Sequence, residues 1–152
     1  MKPGDKAPDF ALPDETGTTR KLGELLADGP VVLFFYPAAM TPGCTKESCH
    51  FRDLKGEFDE VGAQRVGISA DQVDKQKQFS DKYTFDFPLL SDPDKTVAKE
   101  FGAKRGIGPN KRTTFVIDND GTVLDVIKSE LNMNSHADRA LEVLRQHASP
   151  RA

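Results

Sequence analysis

The chain has 152 residues, of which 37% are apolar and 30% charged, and carries a net charge of -3. These values suit one soluble globular domain over residues 1–152, with a frayed tail from His147 to Ala152. Acids and bases are scattered without a basic block, which argues against nucleic acid or a membrane surface as a partner. No apolar run approaches the roughly 20 residues of a membrane span, and the opening MKPGDKAPDFALPDETG has no signal-like apolar core, so a cytoplasmic location is the expectation.

In chain order, Phe10 and Leu12 alternate with polar residues, and Asp14-Glu15-Thr16-Gly17 is a turn signal before a return over Thr18 to Lys21. This predicts an N-terminal hairpin. Leu22 to Ala27 fits one helical turn. Val31 to Tyr36 is an unbroken apolar run, the pattern of a central strand covered on both faces. Pro37 ends it, and Thr41-Pro42-Gly43 supplies helix-start chemistry. Phe51, Leu54, Phe58 and Val61 then fall on one stripe of a single amphipathic helix. Gln64 to Ser69 reads as a second buried strand, followed by a polar helix opened by Asp71 and ending near Tyr83. Phe87 to Leu90 reads as a short extended link. Ser91 to Asp94 reads as a helix start, Val97, Ala98 and Phe101 as its apolar face, and Gly102 as its stop. Ala103 to Lys111 is a basic loop. Thr113 to Ile117 and Thr122 to Ile127 form a strand pair around the Asp118–Gly121 turn. Asn134 or Ser135 caps a last helix whose face is Ala137, Ala140 or Leu141, and Leu144. Strands alternating with helices define an α/β class with three layers. The ligands of such sheets gather at the carboxyl ends of strands, where the turn from Pro37 to Cys44 lies.

Both cysteines, Cys44 and Cys49, fall in that turn and helix. In a helix's first turn, unpaired N–H groups and the dipole favour negative charge, which makes Cys44 a candidate thiolate nucleophile. An arginine folded against it would favour the thiolate further, and Arg112, at the start of a predicted core strand, is a candidate. Residues five apart in a helix have Cα atoms roughly 8–9 Å apart. A disulfide needs less than about 7 Å, so the two cysteines join only if the first turns unwind. The other readings are a small buried hydrophobe for Cys44 and a zinc site built with Cys49 and His50, although this spacing lacks the usual ligand pairing. Thr41 also reads as a plain cap, Arg112 as a surface charge and Glu47 as a capping partner. His50, His136 and His147 show no constellation.

The stretch from Tyr36 to Cys49, YPAAMTPGCTKESC, resembles the peroxiredoxins, in particular the bacterioferritin comigratory protein or Q-type group. It contains the Pro-x-x-x-Thr-x-x-Cys pattern and a second cysteine five positions on. Arg112 to Asp118, RTTFVID, together with GDKAPDFALPDETG and FPLLSDPDKTVAKEFGAKRG, extends the resemblance over nearly the whole chain. Ala38 departs from the lysine of many relatives, and the Lys104–Lys111 loop is shorter than the family pattern. The resemblance implies a thioredoxin-like fold and reduction of hydrogen peroxide or organic hydroperoxides. It implies Cys44 as the peroxidatic cysteine, Thr41 bonding thiolate and peroxide, Pro37 shielding the site, and Arg112 stabilising the charges. It further implies Cys49 as the resolving cysteine, with thioredoxin or a similar dithiol as reductant. No metal or organic cofactor is implied, and group members are often monomers or weak dimers. A thioredoxin-like disulfide oxidoreductase is disfavoured because four residues, not two, separate the cysteines. A redox sensor or holdase would share the helix opening but need not cycle.

Overall fold

The computed structural model describes residues 1–104 and 110–148. Five strands form a mixed sheet: β3 (Val31–Phe35), β4 (Gln64–Ser69), β5 (Leu89–Ser91), β6 (Thr113–Ile117) and β7 (Val123–Lys128), in the order β5-β4-β3-β6-β7. The β3–β4 and β4–β5 pairs are parallel, and β3–β6 and β6–β7 are antiparallel. The N-terminal hairpin of β1 (Ala11–Pro13) and β2 (Thr19–Lys21) stands apart from this sheet. Its turn is held by Asp14, whose carboxylate accepts from the amides of Thr16 and Thr18 and from Arg20 Nε.

The central strand β3 explains the layering. Successive side chains of a strand point to opposite faces. Val32, Phe34 and Tyr36 enter one apolar cluster, and Val31, Leu33 and Phe35 enter another. The first cluster takes Phe51 from α2 (Pro42–Asp53), Phe58 from α3 (Lys55–Glu60) and Phe79 from α4 (Val73–Tyr83). It also takes Ala137, Ala140, Leu141 and Leu144 from α6 (Asn134–Ala148). The second takes Leu22, Leu25 and Leu26 from α1 (Leu22–Leu26) and Val97, Ala98 and Phe101 from α5 (Thr96–Phe101). Helices thus cover both faces of the sheet, the three-layer α/β arrangement expected from the alternation. Phe34 lies flat on Phe51, with ring centroids 4.2 Å apart, which fixes α2 over the sheet.

Gly67 of β4 allows this packing. A Cβ there would lie 2.9 Å from Leu89 Cδ2 and 3.0 Å from Phe34 Cζ. Gly67→Ala is therefore expected to destabilise the protein by about 1–3 kcal/mol through overpacking. A urea unfolding midpoint equal to the parent's would refute this.

Several predicted boundaries move. The single helix expected from Phe51 to Val61 is two helices, broken at Leu54, whose ψ is 19°. At the break Arg65 Nη1 donates to the Phe51 carbonyl at 2.9 Å, and Gly56 follows with its low helical preference. Asp71 does not open α4, which begins at Val73, because its carboxylate accepts from the Ala39 amide and Ser69 Oγ. The link over Phe87–Leu90 contains a true strand, with Leu89 to Ser91 paired to Gly67 to Ser69. Helix α5 starts at Thr96 rather than near Pro93, and the Asp92 carboxylate accepts from the amides of Val97 and Ala98. The predicted tail begins too early: His147 is helical and its Nε2 lies 3.0 Å from Asp118 Oδ2. The rest of that tail beyond Ala148, and residues 105–109 of the basic loop, lie outside the described residues. No helix among the described residues is long and apolar enough to cross a membrane.

Candidate active site

The site is built where β3 runs into α2. After Tyr36 the chain turns through Pro37 to Met40, with Met40 in the left-handed region at φ 69°. The turn is anchored by the Ala39 amide donating to Asp71 Oδ2 at 2.7 Å. Asp71 is held in turn by Ser69 Oγ, which also accepts from Gln76 Nε2. Pro42 stands at the start of α2, where its missing N–H costs nothing. Cys44 follows in the first turn, fully buried, with its thiol in the first apolar cluster.

Arg112, immediately before β6, reaches this thiol. Its Nη2 lies 3.4 Å from Cys44 Sγ, and its Nη1 donates to Glu47 Oε1 at 2.8 Å. Its backbone amide is fixed by Glu130 Oε2 at 2.8 Å. The alternative reading of Arg112 as a surface charge is overturned: the residue is 5% exposed. Burial opposes its charge, but Glu47 and Cys44 as anionic partners more than compensate and raise its pKa.

Glu47 is fully buried and is not a capping partner. Burial pushes its carboxyl up to about 7, against the pull of Arg112. Behind it stands His136 of α6, fully buried, with Nδ1 3.5 Å from Glu47 Oε2. His136 therefore does belong to a constellation. His50 pairs with Asp138 at 2.7 Å. Among the described residues no group of three His, Cys, Asp or Glu side chains is placed to hold a metal.

Thr41 precedes the helix, but its hydroxyl makes no cap. It donates to the Ala38 carbonyl at 2.7 Å, so its proton is not on Cys44 Sγ. Its lone pairs remain able to accept from an incoming O–H. Pro37 and Met40 are half-buried at the edge of the site. Met133, from the segment before α6, comes near the same place. A Cβ on Gly43 would lie 3.1 Å from Met133 Cε and 3.2 Å from Arg112 Nη2.

Cys49, further along α2, is half-buried against the edge of the same apolar cluster, and both thiols are free. Burial pushes its pKa up, with Arg52 pulling it back in part. The C-terminal half of α2 is fastened by Arg65 to the Phe51 carbonyl, by Arg52 Nη1 to the Tyr83 carbonyl at 2.7 Å, and by the His50–Asp138 pair.

Of the five residues singled out in the sequence, Cys44 and Arg112 touch, Thr41 and Pro37 flank them, and Cys49 stands away while α2 is intact. Glu47 and His136 were not singled out. Their signal was positional: Glu47 is four residues before the inward Phe51, and His136 is four before the inward Ala140.

A buried thiol at a helix start, facing a guanidinium on a sheet covered by helices, defines a thiol-based redox enzyme of thioredoxin-like fold. Sequence comparison supplies the family: the profile described as AhpC/TSA family matches residues 3–126, and the chain belongs to that family. It is a thiol peroxidase, a peroxiredoxin of the Q-type, bacterioferritin comigratory protein kind. A curated peroxiredoxin of Mycobacterium tuberculosis is 65% identical over 149 residues, covering 95% of this chain and 97% of the relative. A crystal structure of peroxidoxin BcpB from the same organism superposes with a TM-score of 0.94 at 65% identity, covering 96% of this chain and 97% of that one. The bacterioferritin comigratory protein of Xanthomonas campestris, described for its alkyl peroxide reduction activity, gives a TM-score of 0.84 at 34% identity, covering 91% and 92%.

Proposed function

We propose that the chain reduces hydrogen peroxide and alkyl hydroperoxides through Cys44, with Cys49 as resolving thiol and a dithiol protein such as thioredoxin as reductant. The reading places it in the cytoplasm, as a monomer or weak homodimer. The observation that carries it is the Arg112 guanidinium 3.4 Å from the buried Cys44 Sγ. The Cys44 thiolate attacks the distal oxygen of the peroxide. An S–O bond forms as the O–O bond breaks, sulfur is oxidised to the sulfenic acid, and the alkoxide or hydroxide leaves and takes up a proton. Arg112 faces both the thiolate that starts the step and the negative charge that ends it. Thr41 accepts from the peroxide O–H, and Pro37 limits water. Cys49 then displaces the sulfenic oxygen as water, forming the disulfide that the external dithiol reduces.

The disulfide requires the first turns of α2 to unwind, because an intact helix keeps the two Cα atoms roughly 8–9 Å apart. While the helix stands, burial keeps Cys49 a poor nucleophile. Opening exposes it to water and lifts that restraint.

The test mixes reduced protein with one equivalent of hydrogen peroxide and follows intact mass and thiol count. Rapid loss of both thiols and about two mass units, with a Cys44–Cys49 linkage in the peptide map, is expected. Absence of any rapid oxidation would overturn the reading.

A further inference from the structure

The wall behind Arg112 contains a polar contact that the peroxide step does not use. His136 Nε2 lies 2.8 Å from the Ser129 carbonyl, which only accepts, so Nε2 carries a proton. In the neutral ring Nδ1 is then an acceptor, and Thr114 Oγ1 lies 2.7 Å from it. Glu47 Oε2 is 3.5 Å from the same nitrogen and is buried without any hydrogen-bond partner. An ionised Oε2 would set a lone pair against a lone pair in a place no water reaches. A proton on Oε2 removes the conflict.

We propose that Glu47 is held protonated on its His136 side in the resting enzyme, and that this buried neutral pair leaves the charge of Arg112 to the Cys44 thiolate and the leaving oxygen. Both are positioning residues, since neither touches the reacting atoms. The inference rests on the reading of Cys44 as the attacking thiolate.

The charges support it. Arg112 is one cation that bonds two groups, Cys44 and Glu47, both able to be anionic. Glu130 is a further acid whose charge acts on Glu47 and His136. In the resting state the thiolate claims the guanidinium, and Glu47 stays protonated toward His136. In the step, the thiolate becomes neutral Cys44–SOH and the peroxide becomes RO⁻. The alkoxide takes a proton from water to become ROH, and Glu47 keeps its own, so no carboxylate competes with the leaving oxygen for Arg112. Arg112 stays the cation throughout and never deprotonates. Burial raises the proton affinity of Glu47 and lowers that of His136, so the carboxyl is the main carrier.

The sign of the pH dependence follows. Below the Glu47 midpoint the carboxyl is neutral and Arg112 serves the thiolate and leaving oxygen alone. Above it Glu47 competes for the same cation, so the rate with peroxide falls as pH rises through the midpoint.

The test is a carboxyl carbon NMR titration of the reduced full chain, with the Glu47 signal assigned through Glu47→Gln. The expected midpoint lies near 7. In Cys44→Ser, where no thiolate shares Arg112, it falls. In His136→Gln it also moves, and the falling limb of the rate profile moves with it. That limb disappears in Glu47→Gln. Imidazole nitrogen NMR of the unmutated protein gives a second readout that survives misfolding of a variant: the Nε2–H tautomer is expected, with Nδ1 responding at the Glu47 midpoint. A Glu47 midpoint in the ordinary range near 4.3, or one indifferent to Cys44→Ser, overturns the proposal. So does an Nδ1 signal that ignores Glu47. Each of these leaves turnover intact, whereas a failure of the underlying reading appears as no oxidation at Cys44.

Discussion

Arg112→Met is expected to slow the reaction of the reduced protein with peroxide by about 10²–10³-fold, the usual loss when one preorganised donor is removed from a developing charge. The arginine's two terminal nitrogens serve different anions, Nη2 toward Cys44 and Nη1 toward Glu47. Methionine fills much of the same volume but leaves the thiol without its cation and the carboxyl without its bond. Glu47 answers by staying protonated, so the variant is expected to fold in mildly acidic buffer. Arg112→Lys recovers only part of the rate, because an ammonium is a point charge and cannot present the same planar fork to two partners. Competition kinetics against a second peroxidase measure the constant. A value for Arg112→Met within about threefold of the parent's, small against the usual cost of a lost donor, would remove Arg112 from the chemistry.

Cys49→Ser is expected to stop sustained turnover with a dithiol reductant. Cys44 still meets peroxide, but the sulfenic acid has no partner within the chain. Mass spectrometry should then record a gain of about 16 and, with excess peroxide, about 32 mass units as the sulfinic acid accumulates. Unimpaired cycling in this variant would mean that the external thiol attacks Cys44 directly, and that α2 need not open.

Much of this architecture can be read from the chain because buried strands advertise themselves. β4 and β6 coincide with the strands expected from the sequence, and β3 ends one residue before its apolar run does. The start of α2 follows from Thr41-Pro42-Gly43, and the placing of Cys44 follows with it. What stays hidden is of another kind. The break at Leu54 depends on Arg65, eleven residues further on, taking a carbonyl from the helix. Asp71 looks like a helix opener, but its side chain is committed to the Ala39 turn. β5 is three residues long, too short for any period to show. Glu47 and His136 are polar residues in helices, where the ordinary expectation is a wet surface. Their burial depends on a guanidinium arriving from a distant strand.

The uneven fastening of α2 bears on what oxidation does to the molecule. Three long-range bonds grip the helix from His50 onward, while its first turns are held chiefly by Cys44 and Glu47 against Arg112. Melting that begins at Pro42 therefore runs out at His50. The ring that the proposed disulfide would close spans six residues, Cys44 to Cys49, and so small a loop would add little closure entropy. Phe51 and the aromatic stack on Phe34 stay in place. With the proposed Cys44–Cys49 disulfide the oxidised enzyme would be a native body with one short peeled ribbon, and the reductant would meet a flexible peptide carrying an exposed disulfide. Reduction would let the ribbon rewind onto a template that had stayed in place.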